Sequence, residues 1–169
     1  MPAPVIRGER VTLRAIEEAD LEPLAEIIRE PGVAEWWGES DEPERLRDNL
    51  RMDGQAWAIE ADGELAGWLG FTEETEPEYR SVGLDISLSE RFQGKGIGPE
   101  ALRTAIRWFA DERGHHRFTI DPSVHNERAI SAYGKVGFKE VGVMRRAELL
   151  ADGEWHDGLM MDLLIEELS

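Results

Sequence analysis

Residues 82–121 read VGLDISLSERFQGKGIGPEALRTAIRWFADERGHHRFTID, and their order decides the fold. Val82–Leu88 alternates as a strand does, Arg91–Gly98 is a glycine-rich turn, Pro99–Arg113 carries helical spacing, and Arg117–Asp121 is a second strand. Strand, turn, helix, strand describes a crossover unit in which the two strands lie parallel and the turn faces a phosphate-bearing ligand.

The turn supplies the physical reason. Gly94, Gly96 and Gly98 stand at alternate positions, so no side chain separates their amides from a bulky anion. The N–H groups that open the helix have no intrahelical partner, and the helix dipole adds about half a positive charge there. Lys95 offers a further positive charge. The spacing fits neither the dinucleotide fingerprint nor the P-loop. Pro99, just after the last glycine, removes one donor but is tolerated so early in a helix.

The run Gln93, Gly96, Gly98 resembles the Gln/Arg-x-x-Gly-x-Gly/Ala signature of the GNAT superfamily of N-acetyltransferases. Asn126, Ala129 and Tyr133, followed by Gly137-Phe138, resemble the family's second motif about 30 residues downstream. The resemblance implies an α+β (mixed α/β) GNAT fold. Its central sheet would be mixed, strongly twisted and six- to seven-stranded, with about four helices and a parallel strand pair splayed around acetyl-CoA. It also implies that Gln93, Gly94, Lys95, Gly96, Ile97, Gly98 and Asn126 hold the cofactor. Backbone groups near Ile86 and Leu88 would hold the thioester, and Tyr133 would protonate the departing thiolate.

With 169 residues, 41% of them apolar, the chain suits one domain spanning 1–169. It has no cysteine, so disulfide and thiolate chemistry are excluded. No segment has the apolar length of a signal peptide core or a membrane span, which leads to the expectation of a cytoplasmic protein, monomer or homodimer. The net charge is −17, from 36 acidic and 19 basic residues. That balance argues against nucleic acid and anionic membranes and is compatible with a cationic substrate. Acids crowd the front of the chain, twelve against three bases between Glu17 and Asp48. The four histidines show no metal-ligand spacing, so no metal is expected.

Either side of the central unit, Val11–Arg14 reads as a strand and Ala19–Arg29 as a helix capped by Asp20. A polar helix is expected from Glu42 to Leu50. Gln55–Glu60 and Glu64–Phe71 form a hairpin around Asp62-Gly63, and Phe138–Glu148 and Glu154–Leu164 another around Asp152-Gly153.

Strand parity places the chemistry. Val82, Leu84, Ile86 and Leu88 share one face and leave Asp85 on the other; Phe118 and Ile120 likewise leave Asp121 opposite. Two carboxylates therefore project from neighbouring strands, Asp121 at a carboxyl end, although Asp121-Pro122 also suits a plain turn. Glu35-Trp36-Trp37-Gly38, Gly83-Leu84-Asp85 and Thr119-Ile120-Asp121-Pro122-Ser123 resemble segments of the aminoglycoside 6'-N-acetyltransferases, a likeness running from Val11 to about Val141. It implies Asp121 as general base and Asp85 as a contact to the polycationic amine. One of Trp36 and Trp37 would serve as a pocket wall, and a late aspartate, Asp157 in preference to Asp152, would reach the acceptor. Arg10–Arg14 and the closing strands also resemble ribosomal-protein alanine acetyltransferases. An idle acyl-CoA-binding domain is the reading from outside enzymology.

Overall fold

The computed structural model describes residues 4–37 and 55–169; the helix expected over 42–50 and the acidic residues 39–48 lie outside them. Eight strands form one sheet: β1 (Ile6–Arg7), β2 (Val11–Ala15), β3 (Ala56–Ala61), β4 (Glu64–Glu74), β5 (Ser81–Leu88), β6 (Arg117–Ile120), β7 (Lys139–Leu149) and β8 (Trp155–Leu164). They lie in the order β1-β2-β3-β4-β5-β6-β8-β7. Among the described strands only β5 and β6 pair in parallel. The four α-helices among the described residues are α1 (Leu21–Arg29), α2 (Pro31–Ala34), α3 (Ile97–Arg113) and α4 (Glu127–Val136). The sheet exceeds the expected six to seven strands because β1 is a two-residue edge, too short to show any period.

Two turns obey their sequence. Asp62 and Gly63 both have positive φ, 53° and 76°, as a tight hairpin requires. Gly96 takes φ 80° and caps α3, which starts at Ile97, two residues before the expected Pro99. Pro99 is thus the third helical residue, still within the turn whose N–H groups have no helical acceptor.

The expected cap of α1 is not found. Asp20 makes no side-chain cap there; its carboxylate accepts from both terminal nitrogens of Arg14, at 2.7 and 2.9 Å, and from the Glu17 amide at 2.7 Å. A charge-assisted fork outcompetes one amide. The apolar stripe of α1 still packs as its spacing dictates, with Leu24, Ala25 and Ile28 against Ala56, Val33 and Trp68. The main core lies between the sheet and α3, whose Ala101, Leu102, Ala105, Ile106 and Phe109 are buried over Trp57, Leu69, Val82 and Phe118.

His115, just past the C-terminus of α3, is buried, with Nε2 2.6 Å from a Glu73 oxygen that Arg113 also contacts at 2.6 Å. This knot ties the end of α3 to β4. Among the described residues no helix is long and apolar enough to cross a membrane.

Candidate functional site

β5 and β6 are paired only at Val82–Phe118 and Gly83–Thr119. Beyond those pairs Pro122, which has no N–H to donate, ends β6, and the chain follows β8 instead of β5. Leu159 N–H donates to the Pro122 carbonyl at 2.8 Å, Val124 N–H donates to the Asp157 carbonyl at 3.1 Å, and Ser123 bridges Gly158. β5 continues to Leu88 paired with β4 but not with β6. The divergence opens a cleft of about 670 Å³, lined by Asp85, Asp121, Tyr133, Glu148, Asn126, Trp36 and Trp37 among others.

Three carboxyl groups and a phenol thus share one hollow. Burial, then the charges of Asp121 and Glu148, push the Asp85 carboxyl up to about 7, against a hydrogen bond from the Ile86 amide. Asp85 keeps exposed surface because the cleft admits water; the protein atoms ringing it govern its ionisation all the same. Asp121 is raised by burial, opposed by its own backbone amide. Burial raises Glu148, Asp121 adding to it and His156 opposing. Tyr133 is raised by burial and then by Asp85 and Asp121, so its hydroxyl keeps its proton at neutral pH. Such a hollow favours any cation that enters it, since the cation relieves repulsion already present.

The other side of the gap belongs to the glycine turn. Gly94 and Gly96 both have positive φ, 73° and 80°, a region β-branched residues avoid. The next amides, of Ile97 and Gly98, open α3 with no intrahelical acceptor, a geometry that suits a diphosphate. Gln93 braces the turn. Its Nε2 donates to the Leu88 carbonyl at 3.0 Å and its Oε1 accepts from Arg128 at 2.7 Å. Lys95 is exposed, while Ile86 and Leu88 turn partly buried side chains to the core and leave their backbone on the side of β5 that β6 has vacated. Asn126 caps α4, accepting from the Ala129 amide at 3.2 Å. A thioester carrier whose diphosphate sits on the turn fits this arrangement.

Of the residues singled out from sequence, Trp36, Trp37, Asp85, Asp121, Asn126 and Tyr133 meet at one cleft. Both indoles line it, so the choice between them dissolves; Trp37 also packs on Trp68 with centroids 5.3 Å apart. Asp157 does not line the cleft. Its carboxylate accepts the Arg146 amide at 2.8 Å. Glu148 was not foreseen, because it sits on an edge strand with little alternation. Arg128 was also missed, although it lies inside the quoted helix motif two residues after Asn126. At the hairpin tip the exposed Asp152 and Glu154 and the half-buried His156 bring one ligand atom each within 4.8 Å of one another, with Asp152 and His156 already paired at 2.7 Å.

Residues 10–139 match the family model of an acetyltransferase (GNAT) domain. The chain is 30% identical over 160 residues to the aminoglycoside N(6')-acetyltransferase type 1 of Klebsiella pneumoniae, covering 81% of this chain and 78% of that protein. It is 30% identical over 100 residues to the ribosomal protein uS5-alanine N-acetyltransferase of Escherichia coli K12, covering 59% of this chain and 51% of that one. Among solved structures, Mycobacterium smegmatis RimJ in complex with CoA-disulfide is similar in fold, with a TM-score of 0.83 at 22% identity over 98% of this chain and 89% of that one.

Proposed function

The chain belongs to the GNAT family of acetyltransferases, and from that premise we propose that it transfers acetyl from acetyl-CoA to a primary amine of a polycationic small molecule, the 6'-amine of an aminoglycoside. One observation carries the reading: Asp85, Asp121 and Tyr133 face one cleft, walled by two indoles, at the point where β5 and β6 part. An acceptor with several ammonium groups gains attraction from each carboxylate, and an indole face suits a sugar ring or an ammonium.

The amides from Gly94 to Gly98 grip the diphosphate, and the free edge of β5 near Ile86 and Leu88 orients the thioester and offers donors to the oxygen on which charge develops. The thioester supplies an acetyl group activated by its weak carbon–sulfur bond. Asp121 takes a proton from the acceptor ammonium, the freed nitrogen attacks the carbonyl carbon, the C–N bond forms and the C–S bond breaks. Tyr133 gives its proton to the departing sulfur, and the surplus proton on the attacking nitrogen returns to the Tyr133 oxygen, leaving the amide and free CoA. Burial, then the charges of Asp85 and Asp121, hold this proton back; an ammonium between the carboxylates offsets their share, so the phenol becomes a better acid when the acceptor is in place.

The test mixes the protein and acetyl-CoA with kanamycin, with an N-terminal alanine peptide, or with no acceptor, and measures free CoA. Release with kanamycin and not the peptide is expected. Release with the peptide alone would instead favour a substrate like that of the uS5-alanine enzyme, and release with neither, despite cofactor binding, an idle acyl-CoA-binding domain. Asp121→Asn should lower turnover about a hundredfold while leaving CoA affinity nearly unchanged.

A further inference from the structure

β7 is an edge strand of the sheet, opposite β1, and it departs from regular pairing where it passes the cleft. Met144 is paired with Gly158 and Glu148 with His156, so four steps along β7 span two along β8. The surplus residues form a bulge that includes Arg146 at φ 48°, a conformation a non-glycine residue adopts at a cost. Something must hold it there. The Asp157 carboxylate does so by accepting the Arg146 N–H at 2.8 Å, while the Asp157 carbonyl accepts the Val124 N–H just after the Asp121-Pro122 turn. One residue of β8 thus steadies both the bulge and the segment that carries Asp121. At the end of the bulge, Glu148 lines the cleft, while Arg145, Ala147 and Leu149 beside it are exposed.

We propose that Glu148 is an acceptor-binding carboxylate, set by the Asp157-capped bulge, that gives the cleft its preference for an acceptor with a second ammonium group beside the one acetylated. The inference rests on the amine-acetylating reading of this site and deepens it. Asp85 lies on β5 and Asp121 just past the end of β6, either side of the gap, whereas Glu148 reaches the same hollow from β7, two strands beyond β5's partner. Its distinct origin suits a distinct ammonium. Asp157 is then a positioning residue that acts through the Arg146 amide without touching the acceptor.

The experiment compares kanamycin, which carries several ammonium groups, with 6-amino-6-deoxyglucose, which carries one. Glu148→Gln should raise KM for kanamycin about tenfold, leave kcat within about twofold, and leave KM for the monoamine unchanged. Glu148→Asp, which keeps the charge, should restore most of the loss. Asp157→Asn should show the same split to a smaller degree, and Arg146→Gly, which removes the backbone cost, should keep the wild-type KM for kanamycin. An unchanged kanamycin KM in Glu148→Gln, or an equal rise for both acceptors, overturns the proposal while the acetylating reading stands. If the wild type releases no CoA with either acceptor, that reading falls. Calorimetric binding of kanamycin then decides for Glu148: weaker binding in Glu148→Gln supports it, and equal or absent binding overturns it.

Discussion

Asp85 illustrates how one side chain links stability to substrate. Its carboxyl is raised from 3.8 to about 7, so the folded protein holds that proton more tightly than the unfolded chain does. For a raised carboxyl, the contribution to stability is fully present below about pH 4 and is lost as pH climbs through 7. Asp85→Asn stays neutral throughout. It should therefore melt higher than the wild type at pH 8 and nearly level with it at pH 4. Because the carboxylate keeps one wet side, the gain is discounted to about 1 kcal/mol, or roughly 2–4 °C in thermal melts. An equal gain at both pH values would deny the strained ionisation. Tyr133 offers the matching kinetic test. Tyr133→Phe should lower kcat about a hundredfold with CoA affinity unaltered in calorimetry; a silent variant would remove the phenol from proton transfer.

At the scale of elements, the turn before α3 and the parting of β5 from β6 do most to shape the site. Gly96→Val puts a β-branched residue at φ 80° and a Cβ about 3.0 Å from the Arg10 guanidinium. It should cost about 1–3 kcal/mol of stability and weaken CoA binding at least several-fold, read by thermal melts and calorimetry. These elements were legible because their causes are local: glycines at alternate positions, a proline that ends β6, and a two-residue period that set Asp85 and Asp121 on one side. What was illegible depends on distant partners. The Arg14 fork that draws Asp20 from its cap lies six residues away, and His115 meets Glu73 across forty-two. Glu148, unforeseen, lines the hollow while Asp157, expected there, accepts the Arg146 amide, because a bulge invisible to periodicity decides which carboxylate reaches it.

The whole molecule carries −17 charges, and its acid-lined cleft draws on that field as well as on its own residues. Raising ionic strength from about 0.01 to 0.15 M shortens the screening length from roughly 30 to 8 Å. Under the polycation reading, kcat/KM for kanamycin should fall several-fold over that range, and less for a singly charged amine; equal salt responses would show that long-range attraction plays no part. The strand order has a further consequence. β8 is inserted between β6 and β7, yet it follows both in sequence, and it is β8 that steadies the Asp121 turn on one flank and the Arg146 bulge on the other. During synthesis on the ribosome, the glycine turn and α3 can emerge and fold while the acidic hollow still has no floor. Under the amine-acetylating reading, recognition of the acceptor is then the last property this polypeptide acquires as it is made, and a stop codon between Leu150 and Trp155 would leave Asp121 and Glu148 without the strand that steadies them.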